Sequence, residues 1–370
     1  MPQKRHTKQP TTISSLSFGQ IFLRATGLAL ILAMVLLLLT GLILGGVAYG
    51  KLRAFSQAAQ VSLQELWQTY QQSQQQAQKL AGPVNLLILG TDSLAQRGDV
   101  PPLTDTIMLV KLDLKTGQIS TLSLPRDLWN QTYQTKINAL LAYGEQRYPK
   151  QPELFSQEVI ADLTQVPIDH TLVLNLNDLQ ELINLVGGIE VKIEQGFTDE
   201  QFPRPDVDIT TETDPAKLYE TVTFATGVET MSGERALKYI RSRHSDDKQG
   251  HDLARSQRQQ QVIQALVTKL QNLKYFANHP DQAGLLYRFY LDHFAVYLPM
   301  EQLLAIVYQL APQQNHLTIN NHQLSIYPDE QNGVIYHPPQ WQYQNQWVYI
   351  IRDQQQFQDF INNKLNNSQT

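Results

Sequence analysis

The segment from Ala25 to Gly50 contains no charged residue, and it constrains the fold of this chain more than any other feature. About 20 apolar residues suffice for a helix to cross the ~30 Å hydrocarbon core of a bilayer. The pattern therefore predicts one transmembrane helix over residues 25–50. The run is longer than the apolar region of a signal peptide, and no clean A-x-A cleavage site follows it. We expect a retained membrane anchor.

Basic residues flank this predicted span unevenly. Four precede it and two follow it closely: Lys4, Arg5, Lys8, Arg24, Lys51 and Arg53. Because the more basic flank stays in the cytoplasm, we expect residues 1–24 to form a cytoplasmic tail. The remaining chain is then extracytoplasmic, in a single-pass topology in the cell membrane. Two GxxxG patterns, over residues 41–45 and 46–50, are compatible with a homodimer through this helix.

Charge and cysteine usage exclude several classes of function. The formal net charge is −5, whereas a protein whose main partner is nucleic acid carries a basic face. We therefore expect no nucleic acid partner. The chain has no cysteine, which excludes disulfides, thiolate catalysis and cysteine-based zinc sites.

Residues 51–82 are rich in glutamine and follow the predicted span directly. Leu63, Leu66, Trp67 and Tyr70 recur there at helical spacing. The pattern predicts a juxtamembrane helix that acts as a linker between the bilayer and the domain beyond.

Strand and helix patterns interleave after this linker. Apolar runs bounded by turn residues predict strands over Val84–Leu89, Thr106–Leu112, Gln118–Leu124, Thr171–Leu176 and Ile189–Ile193. Helical spacing predicts helices over Pro152–Leu163, Asp178–Val186 with Asn177 as its cap, the residues from Ser232 to Tyr239, and Leu253–Leu273. Prolines and polar residues predict a long loop over 196–222. This interleaving indicates the α/β class, with the helices and strands arranged as an α/β or αβα sandwich.

Two carboxylates stand next to predicted strands. Asp92 follows the first strand in a Gly-Thr-Asp-Ser turn, and Asp105 directly precedes the second strand. Carboxylate oxygens at converging strand ends suit a hard divalent cation such as Mg²⁺, with Mn²⁺ as an alternative. An ordinary turn or cap explains each residue equally well.

Cationic residues follow later strands and helices. Arg126 ends the third strand beside Asp127, and Lys136 follows shortly after. Arg241 and Arg243 stand two apart after a helix, so in an extended segment both point to the same side. Two guanidiniums held together favour a phosphate or pyrophosphate as their ligand. A surface ion pair is the alternative interpretation for Arg126.

A further polar group opens the long predicted helix near residue 252. Arg255 and Gln259 are four residues apart and share one face, with Asp252 above them. A solvated helix start is an equally good explanation for Arg258. These carboxylates, arginines and lysine together predict a metal-assisted pyrophosphate site. No Walker A loop, HExxH helix or GxSxG elbow accompanies it.

Six segments of the chain resemble the LytR-CpsA-Psr family in text, order and spacing. They are NLLILGTDS at 85–93, LTDTIMLVKLD at 103–113, STLSLPRDLW at 120–129, KINALLAYG at 136–144, LVGGIEVKI at 185–193, and GERALKYIRSRHSDDKQGHDLARSQRQQQVI at 233–263. The resemblance implies an αβα sandwich around a central mixed sheet. It places a catalytic domain over residues 83–275 and a C-terminal extension over 276–370 that packs on or follows this domain.

The resemblance also implies an activity and roles for individual residues. Family members move a glycopolymer from a polyprenyl-pyrophosphate carrier to a cell-wall acceptor, typically peptidoglycan. Asp92 and Asp105 match the Mg²⁺-binding pair, and Asp252 matches a supporting residue. The residues implied to bind pyrophosphate are Arg126, Lys136, Arg241, Arg243, Arg255 and Gln259. Those implied to be catalytic are Asp105, Arg126, Arg241 and Arg243.

The chain departs from the family at two positions, and two other functions stay open. Leu94 and Leu103 stand where many members carry arginine. With water as acceptor the same site is a polyprenyl-pyrophosphate phosphatase. The third possibility is a non-catalytic envelope or regulatory protein that binds isoprenoid lipid.

Overall fold

The structure is a computed structural model, and it describes residues 40, 44–91, 103–204, 207, 214–243, 252–313 and 316–366. The chain divides into two compact units, Met1–Ala54 and Phe55–Thr370. In the smaller unit residues 44–54 are helical. The predicted span over residues 25–50 lies mostly outside the described residues. Within the described ranges, no helix is both long and apolar enough to cross a bilayer.

Strands and helices interleave along the larger unit, which confirms the predicted α/β class. The strands are β1 (Val84–Thr91), β2 (Thr104–Leu112), β3 (Gln118–Leu124), β4 (Trp129–Asn130), β5 (Thr135–Lys136), β6 (His170–Asn175), β7 (Ile189–Ile193), β8 (Phe197–Pro203), β9 (Tyr219–Phe224), β10 (Gly227–Met231), β11 (Thr318–Gln323), β12 (Ile326–Tyr327), β13 (Ile335–Tyr336) and β14 (Ile350–Ile351). The helices are α1 (Leu63–Lys79), α2 (Leu140–Arg147), α3 (Glu153–Thr164), α4 (Leu176–Leu185), α5 (Pro215–Leu218), α6 (Gly233–Arg241), α7 (Asp252–Leu270), α8 (Leu273–Asn278), α9 (Pro280–His293), α10 (Met300–Leu310) and α11 (Gln354–Asn366).

The central sheet has five strands in the order β11-β3-β2-β1-β6. β2 pairs antiparallel with both β1 and β3, whereas β6 and β11 add to the two edges in parallel. The sheet is therefore mixed, as the family resemblance implies. The β2–β3 connection turns at Gly117, whose φ of +75° is a conformation that suits glycine.

Helices cover both faces of this sheet, because side chains alternate between two hydrophobic cores along β1. Leu87 and Leu89 face a core that α2, α3 and α11 close. Val84 and Leu86 face the opposite core, which Ile306 of α10 helps to close. Burying one such side chain contributes roughly 1.5–3 kcal/mol. The architecture is thus the predicted sandwich of helices, sheet and helices.

A third core lies between α4, α6 and α7 and the strand pairs β7–β10 and β8–β9. Ile183, Ile189, Phe224 and Val262 are at most 1% exposed there. Val262 anchors α7 in this core and thereby fixes the position of the other faces of that helix.

The glutamine-rich segment forms the predicted helix, α1, but packs against the domain. A capping box starts it: the Ser62 hydroxyl accepts from the Glu65 amide, and the Glu65 carboxylate accepts from the Ser62 amide. Near its end, Gln309 of α10 donates to the Ala77 carbonyl at 2.7 Å. α1 is therefore part of the larger unit, in contrast to a detached linker.

The structure revises the predicted boundary at residue 275. β11 is the edge strand of the central sheet, and Phe357 of α11 is fully buried in the core beneath it. Residues beyond 275 thus complete the domain, in contrast to an extension that packs on its surface. The reason is long-range parallel pairing between β11 and β3, which leaves no local signature.

Two local predictions also change. Asn175, not Asn177, caps α4, because it forms a reciprocal capping box with Asp178. The predicted loop over 196–222 contains β8 and the start of β9, which pair with an irregular register between Asp199 and Phe202.

Candidate functional site

An open cleft of about 740 Å³ lies at the end of the central sheet where β2 begins and β3 ends. Asp105 is the second residue of β2, and Arg126 lies two residues beyond the end of β3. Antiparallel pairing of the two strands, with Ile107 opposite Leu124, brings these residues to the same sheet end. Both line the cleft, so the antiparallel pairing of β2 and β3 brings the acid and the arginine together.

Gly90 permits the close approach of β1 and β2 at this sheet end. A Cβ at Gly90 would lie 2.9 Å from the Cβ of Thr106, which is too close for any larger residue without movement. Thr91 pairs with Thr104, immediately before Asp105. Asp92 itself, together with Leu94, lies outside the described residues.

Four charged side chains form a continuous row along the cleft. Arg126 Nη1 donates to Asp105 Oδ1 at 2.7 Å, and its Nε lies 3.5 Å from Asp127 Oδ2. Lys136 Nζ donates to Asp127 Oδ1 at 2.6 Å. Asp127 thus holds both cations. Sequence reasoning offered its pair with Arg126 as one interpretation and missed its bond to Lys136.

Backbone hydrogen bonds fix the turn that presents this row. The Leu128 amide donates to the Pro125 carbonyl at 2.9 Å, which closes the turn after β3. The Asn138 amide donates to the Arg126 carbonyl, and Trp129 pairs with Lys136 between β4 and β5. Lys136 therefore returns beside Arg126 although it lies ten positions further along the chain.

The charged row is accessible to a ligand. Its side chains are between a fifth and a third exposed, and ion pairs with that exposure contribute only ~0–1 kcal/mol to folding. Exchange of a carboxylate partner for a ligand anion therefore costs little free energy of folding. The arrangement suits an anion with several oxygens, because guanidinium and ammonium groups both donate charge-assisted hydrogen bonds to phosphate.

Helix α7 brings Gln259 and Ile263 to the same cleft. Gln259 therefore lines the same cleft as Asp105 and Arg126, and its predicted contact with a pyrophosphate stays a prediction. Asp252 and Arg255 belong to the first turn of α7, and their side chains lie outside the described part of the chain. Their predicted contacts stay predictions.

The arginines at the end of α6 do not line the cleft. The Arg241 guanidinium lies 5.8 Å from the Phe202 ring centroid, and the Arg243 side chain is exposed. Arg241 is the last residue of α6, and Ser242 between the two arginines is buried. The Arg243 amide donates to Asp199, which is fully buried. The predicted role of Arg241 and Arg243 in binding stays a prediction.

Arg258, for which a solvated helix start was one interpretation, is 2% exposed. Its Nε donates to the Tyr239 carbonyl at 2.9 Å, and its Nη2 donates to the Ser242 carbonyl. The guanidinium also lies 4.8 Å from the Phe197 ring centroid. Arg258 therefore ties α7 to the end of α6. Burial raises the pKa of the adjacent Tyr239 hydroxyl, which the charge of Arg258 partly opposes.

The far C-terminal segment supplies the rest of the cleft wall, including Asp329, Glu330, Trp347 and Tyr349. The Tyr349 amide donates to the Asp127 carbonyl at 2.9 Å, and the Trp129 amide donates to the Tyr349 carbonyl at 2.8 Å. Sequence reasoning missed these residues, since no local pattern links them to the charged row.

Among the described residues, no group of three or more His, Cys, Asp or Glu side chains is arranged to hold a metal ion. Asp105 offers a partly exposed carboxylate whose Oδ1 accepts from Arg126. One or two carboxylates with water and substrate phosphates are a normal Mg²⁺ environment in proteins. The donor chemistry of Asp105 therefore fits such an ion.

The fold and this cleft define a class: mixed-sheet α/β proteins with an open, charged cleft at the sheet end. The model of the LytR_cpsA_psr family matches residues 49–351. The chain belongs to the LytR_cpsA_psr family.

Curated relatives carry transferase names. The chain is 30% identical over 194 residues to the polyisoprenyl-teichoic acid–peptidoglycan teichoic acid transferase TagV of Bacillus subtilis, covering 51% of this chain and 44% of that protein. It is 25% identical over 226 residues to the corresponding transferase TagU of Enterococcus faecalis, covering 60% and 65%. The chain thus matches about half to two thirds of the length of these relatives.

Two solved structures have a fold similar to that of this chain. The crystal structure of B. subtilis TagV matches with a TM-score of 0.51 and 22% identity, over 78% of this chain and 99% of that one. A structure of TagT bound to LIIa-WTA matches with a TM-score of 0.50 and 20% identity, over 77% and 91%. At these identities the likeness shows the fold.

Proposed function

We propose that this protein is an extracytoplasmic phosphotransferase that moves a glycopolymer from a polyprenyl-pyrophosphate carrier to peptidoglycan. The observation that carries the proposal is the row Asp105–Arg126–Asp127–Lys136, open to a cleft in a chain of this family. The transferase names of the relatives support the same reaction.

In this proposal the carrier's pyrophosphate displaces the carboxylates from Arg126 and Lys136. An acceptor hydroxyl oxygen then forms a bond to the sugar-proximal phosphorus. The bond from that phosphorus to the bridging oxygen breaks, and polyprenyl phosphate leaves with the electron pair. Phosphoryl transfer depends mainly on positioning and on stabilisation of charge. The two cations of the row, Arg126 and Lys136, suit such stabilisation.

Asp105 has two possible tasks at this site, and its geometry allows either. Arg126 donates to its Oδ1. The carboxylate would accept the proton of the acceptor hydroxyl, and together with Asp92 it would hold Mg²⁺ if that ion binds; in that case the proton would pass to water. When bound, Mg²⁺ would offset negative charge on the pyrophosphate. The pairing of Thr91 with Thr104 supports this acidic pair, because the described chain leaves β1 beside Asp105.

The proposal includes binding by residues beyond the row. Gln259 lines the cleft and is proposed to bind the pyrophosphate. We also propose Arg241, Arg243 and Arg255 as phosphate ligands with Asp252 in support, on the family match of their segment.

Membrane attachment is the remaining part of the proposal. The uncharged run over residues 25–50 supports a single-pass anchor with a cytoplasmic N-terminus. An anchored enzyme meets a lipid carrier in the same bilayer. The homodimer through GxxxG contacts stays a prediction.

The test uses the full chain in detergent with a labelled polyprenyl-pyrophosphate glycan, peptidoglycan and Mg²⁺. We expect the label on peptidoglycan, together with one equivalent of polyprenyl phosphate. Soluble glycan phosphate would identify the phosphatase instead. Bound donor without turnover would identify the lipid-binding module.

A further inference from the structure

Helix α1 carries an exposed apolar stripe in its first half. Leu63, Trp67 and Tyr70 recur at positions i, i+4 and i+7, and residues with this spacing share one face of a helix. Their exposed fractions are 37%, 58% and 49%. The Trp67 and Tyr70 rings lie 5.6 Å apart, so they form one patch. We call these three residues the aromatic face.

The second half of α1 buries the same side of the helix. Ala77 follows Tyr70 by seven residues, a spacing that returns to nearly the same side. Ala77 is 2% exposed, and its carbonyl accepts from Gln309 of α10. This side of α1 is therefore apolar along its length, and the domain packs against its C-terminal half.

The aromatic face lies within reach of the predicted membrane anchor. The uncharged run ends at Gly50, and five residues later Phe55 belongs to the larger unit. By covalent length alone, five residues bridge at most ~18 Å. The Phe55 ring contacts the ring of Tyr287 in α9, with centroids 5.4 Å apart. Burial raises the pKa of the Tyr287 hydroxyl, which a hydrogen bond with the Thr69 side chain partly opposes. Thr69 stands between the two aromatic residues of α1.

The chemistry of the aromatic face fits the interface of a bilayer. The charged residues of α1 are Glu65 and Lys79, which are opposite in sign, and Glu65 is engaged in the capping box. Tryptophan and tyrosine concentrate at membrane–water interfaces, because their rings are apolar and each has a polar group at its tip. An uncharged helix with two such rings needs no ionic partner.

The size of the aromatic face argues against a second copy of the chain as its partner. Large side chains bury ~150–250 Å² each, so three that are about half exposed present roughly 300 Å². Two copies would bury roughly 600 Å², whereas a stable protein interface needs about 1,000 Å² or more. A bilayer held nearby by a covalent anchor needs no such area, since the anchor already supplies a high effective concentration.

We propose that the aromatic face of α1 inserts into the headgroup region of the bilayer and forms a second membrane contact beside the anchor. The two contacts together would restrain how the domain is oriented on the membrane. This inference rests on the membrane attachment that is part of the proposed function.

The test measures tryptophan emission from the full chain in phosphatidylcholine vesicles, with and without bromine on the lipid acyl chains. Bromine quenches tryptophans that contact lipid. The chain has four tryptophans, and none precedes Trp67, so the predicted span does not emit. Brominated lipid should remove up to about a quarter of the wild-type emission, the share of one tryptophan in four. Trp67→Phe should lose none. Trp341→Phe is the matched control, because Trp341 is 74% exposed, and it should keep the loss.

A second pair of variants tests the face itself. Tyr70→Asp places a charge beside Trp67 and should abolish the quenching, because a carboxylate resists transfer out of water. Gln72→Asp adds the same charge at an exposed position away from the aromatic face and should leave the quenching unchanged.

Each outcome decides the proposal. Unquenched wild type, quenching that persists in Trp67→Phe, or equal effects of the two aspartate variants would overturn it. A dimer in detergent that Tyr70→Asp dissociates would assign the face to a second copy and overturn it too.

Flotation with the vesicles separates this inference from the proposed attachment. A chain that floats but shows no quenching through Trp67 would retain the anchor and remove the second contact. A chain that does not float would remove both, and label transfer in detergent would still test the phosphotransferase.

Discussion

Replacing Arg126 with alanine tests whether its ion pairs serve the reaction or only stabilise the fold. The side chain contacts Asp105 at 2.7 Å and Asp127 at 3.5 Å, and it is 31% exposed. Partly exposed pairs of this kind contribute ~0–1 kcal/mol to folding. We therefore expect Arg126→Ala to lower the free energy of unfolding by no more than about 1 kcal/mol.

The expected effect on transfer is much larger. If Arg126 binds the pyrophosphate, its removal deletes a fixed donor at the point where charge changes during the reaction. Removal of one such donor typically lowers kcat by roughly 10²–10³. The prediction is therefore a rate loss of about 100-fold or more with nearly unchanged stability.

Arg235 provides a matched control. It has the same 31% side-chain exposure and a 2.6 Å bond to Glu229. Its guanidinium also lies 3.9 Å from the Phe224 ring centroid and donates to the Thr223 carbonyl. Arg235→Ala should therefore cost at least as much stability as Arg126→Ala, but leave transfer unchanged because Arg235 does not line the cleft.

The assay follows the rate of label transfer at saturating donor, alongside urea unfolding of each variant. Transfer by Arg126→Ala within about threefold of wild type would refute the assignment, as that is under 1 kcal/mol of barrier. Equal rate losses in the two arginine variants would refute it as well, because they would indicate a general effect of disrupting an ion pair.

Three further results are expected. Asp105→Asn should abolish the Mg²⁺ dependence of transfer and weaken Mg²⁺ binding in calorimetry; an unchanged Mg²⁺ response places the ion elsewhere. Phe357→Ala should lower the free energy of unfolding by about 3–5 kcal/mol, since Phe357 is fully buried, and the half-buried Phe360 on the same helix should cost less; equal small losses would mean that α11 is not part of the core. Burial raises the pKa of the Glu153 carboxyl above its ordinary value of 4.5, so Glu153→Gln should stabilise the fold near pH 7 and lose this advantage as the pH falls through the raised pKa towards 4.5; an advantage that is independent of pH would contradict this cause.

The strands with clean periodicity were predictable from the sequence. β3 and β7 have the predicted bounds, because apolar residues alternate or run continuously between strong turn signals. The start of α4 was misplaced by two residues, since two asparagines compete there and only the reciprocal bonds of Asn175 and Asp178 decide between them.

The part of the site that lies at the ends of β2 and β3 could be predicted, because consecutive antiparallel strands bring these ends together. Asp105 and Arg126 stand at adjoining ends of two consecutive antiparallel strands, so their meeting follows from local pattern. The C-terminal wall was not predictable in this way. Tyr349 reaches Asp127 through backbone bonds between segments more than 200 residues apart, and backbone groups carry no residue-specific signal.

The edge strand β11 has a consequence for how the chain reaches its native state. β3 pairs with β2 within a local hairpin, yet its other edge is satisfied only by Thr318–Gln323. During synthesis that edge stays open while nearly two hundred further residues emerge. Open edges template pairing with other chains, and late parallel pairing slows folding. The cleft wall follows β11 in the chain, so a ligand site forms only after this edge is closed. A chain that ends before β11 therefore exposes an aggregation-prone edge and also lacks Trp347 and Tyr349 of the cleft wall. Only a chain that includes these C-terminal residues can form the whole cleft.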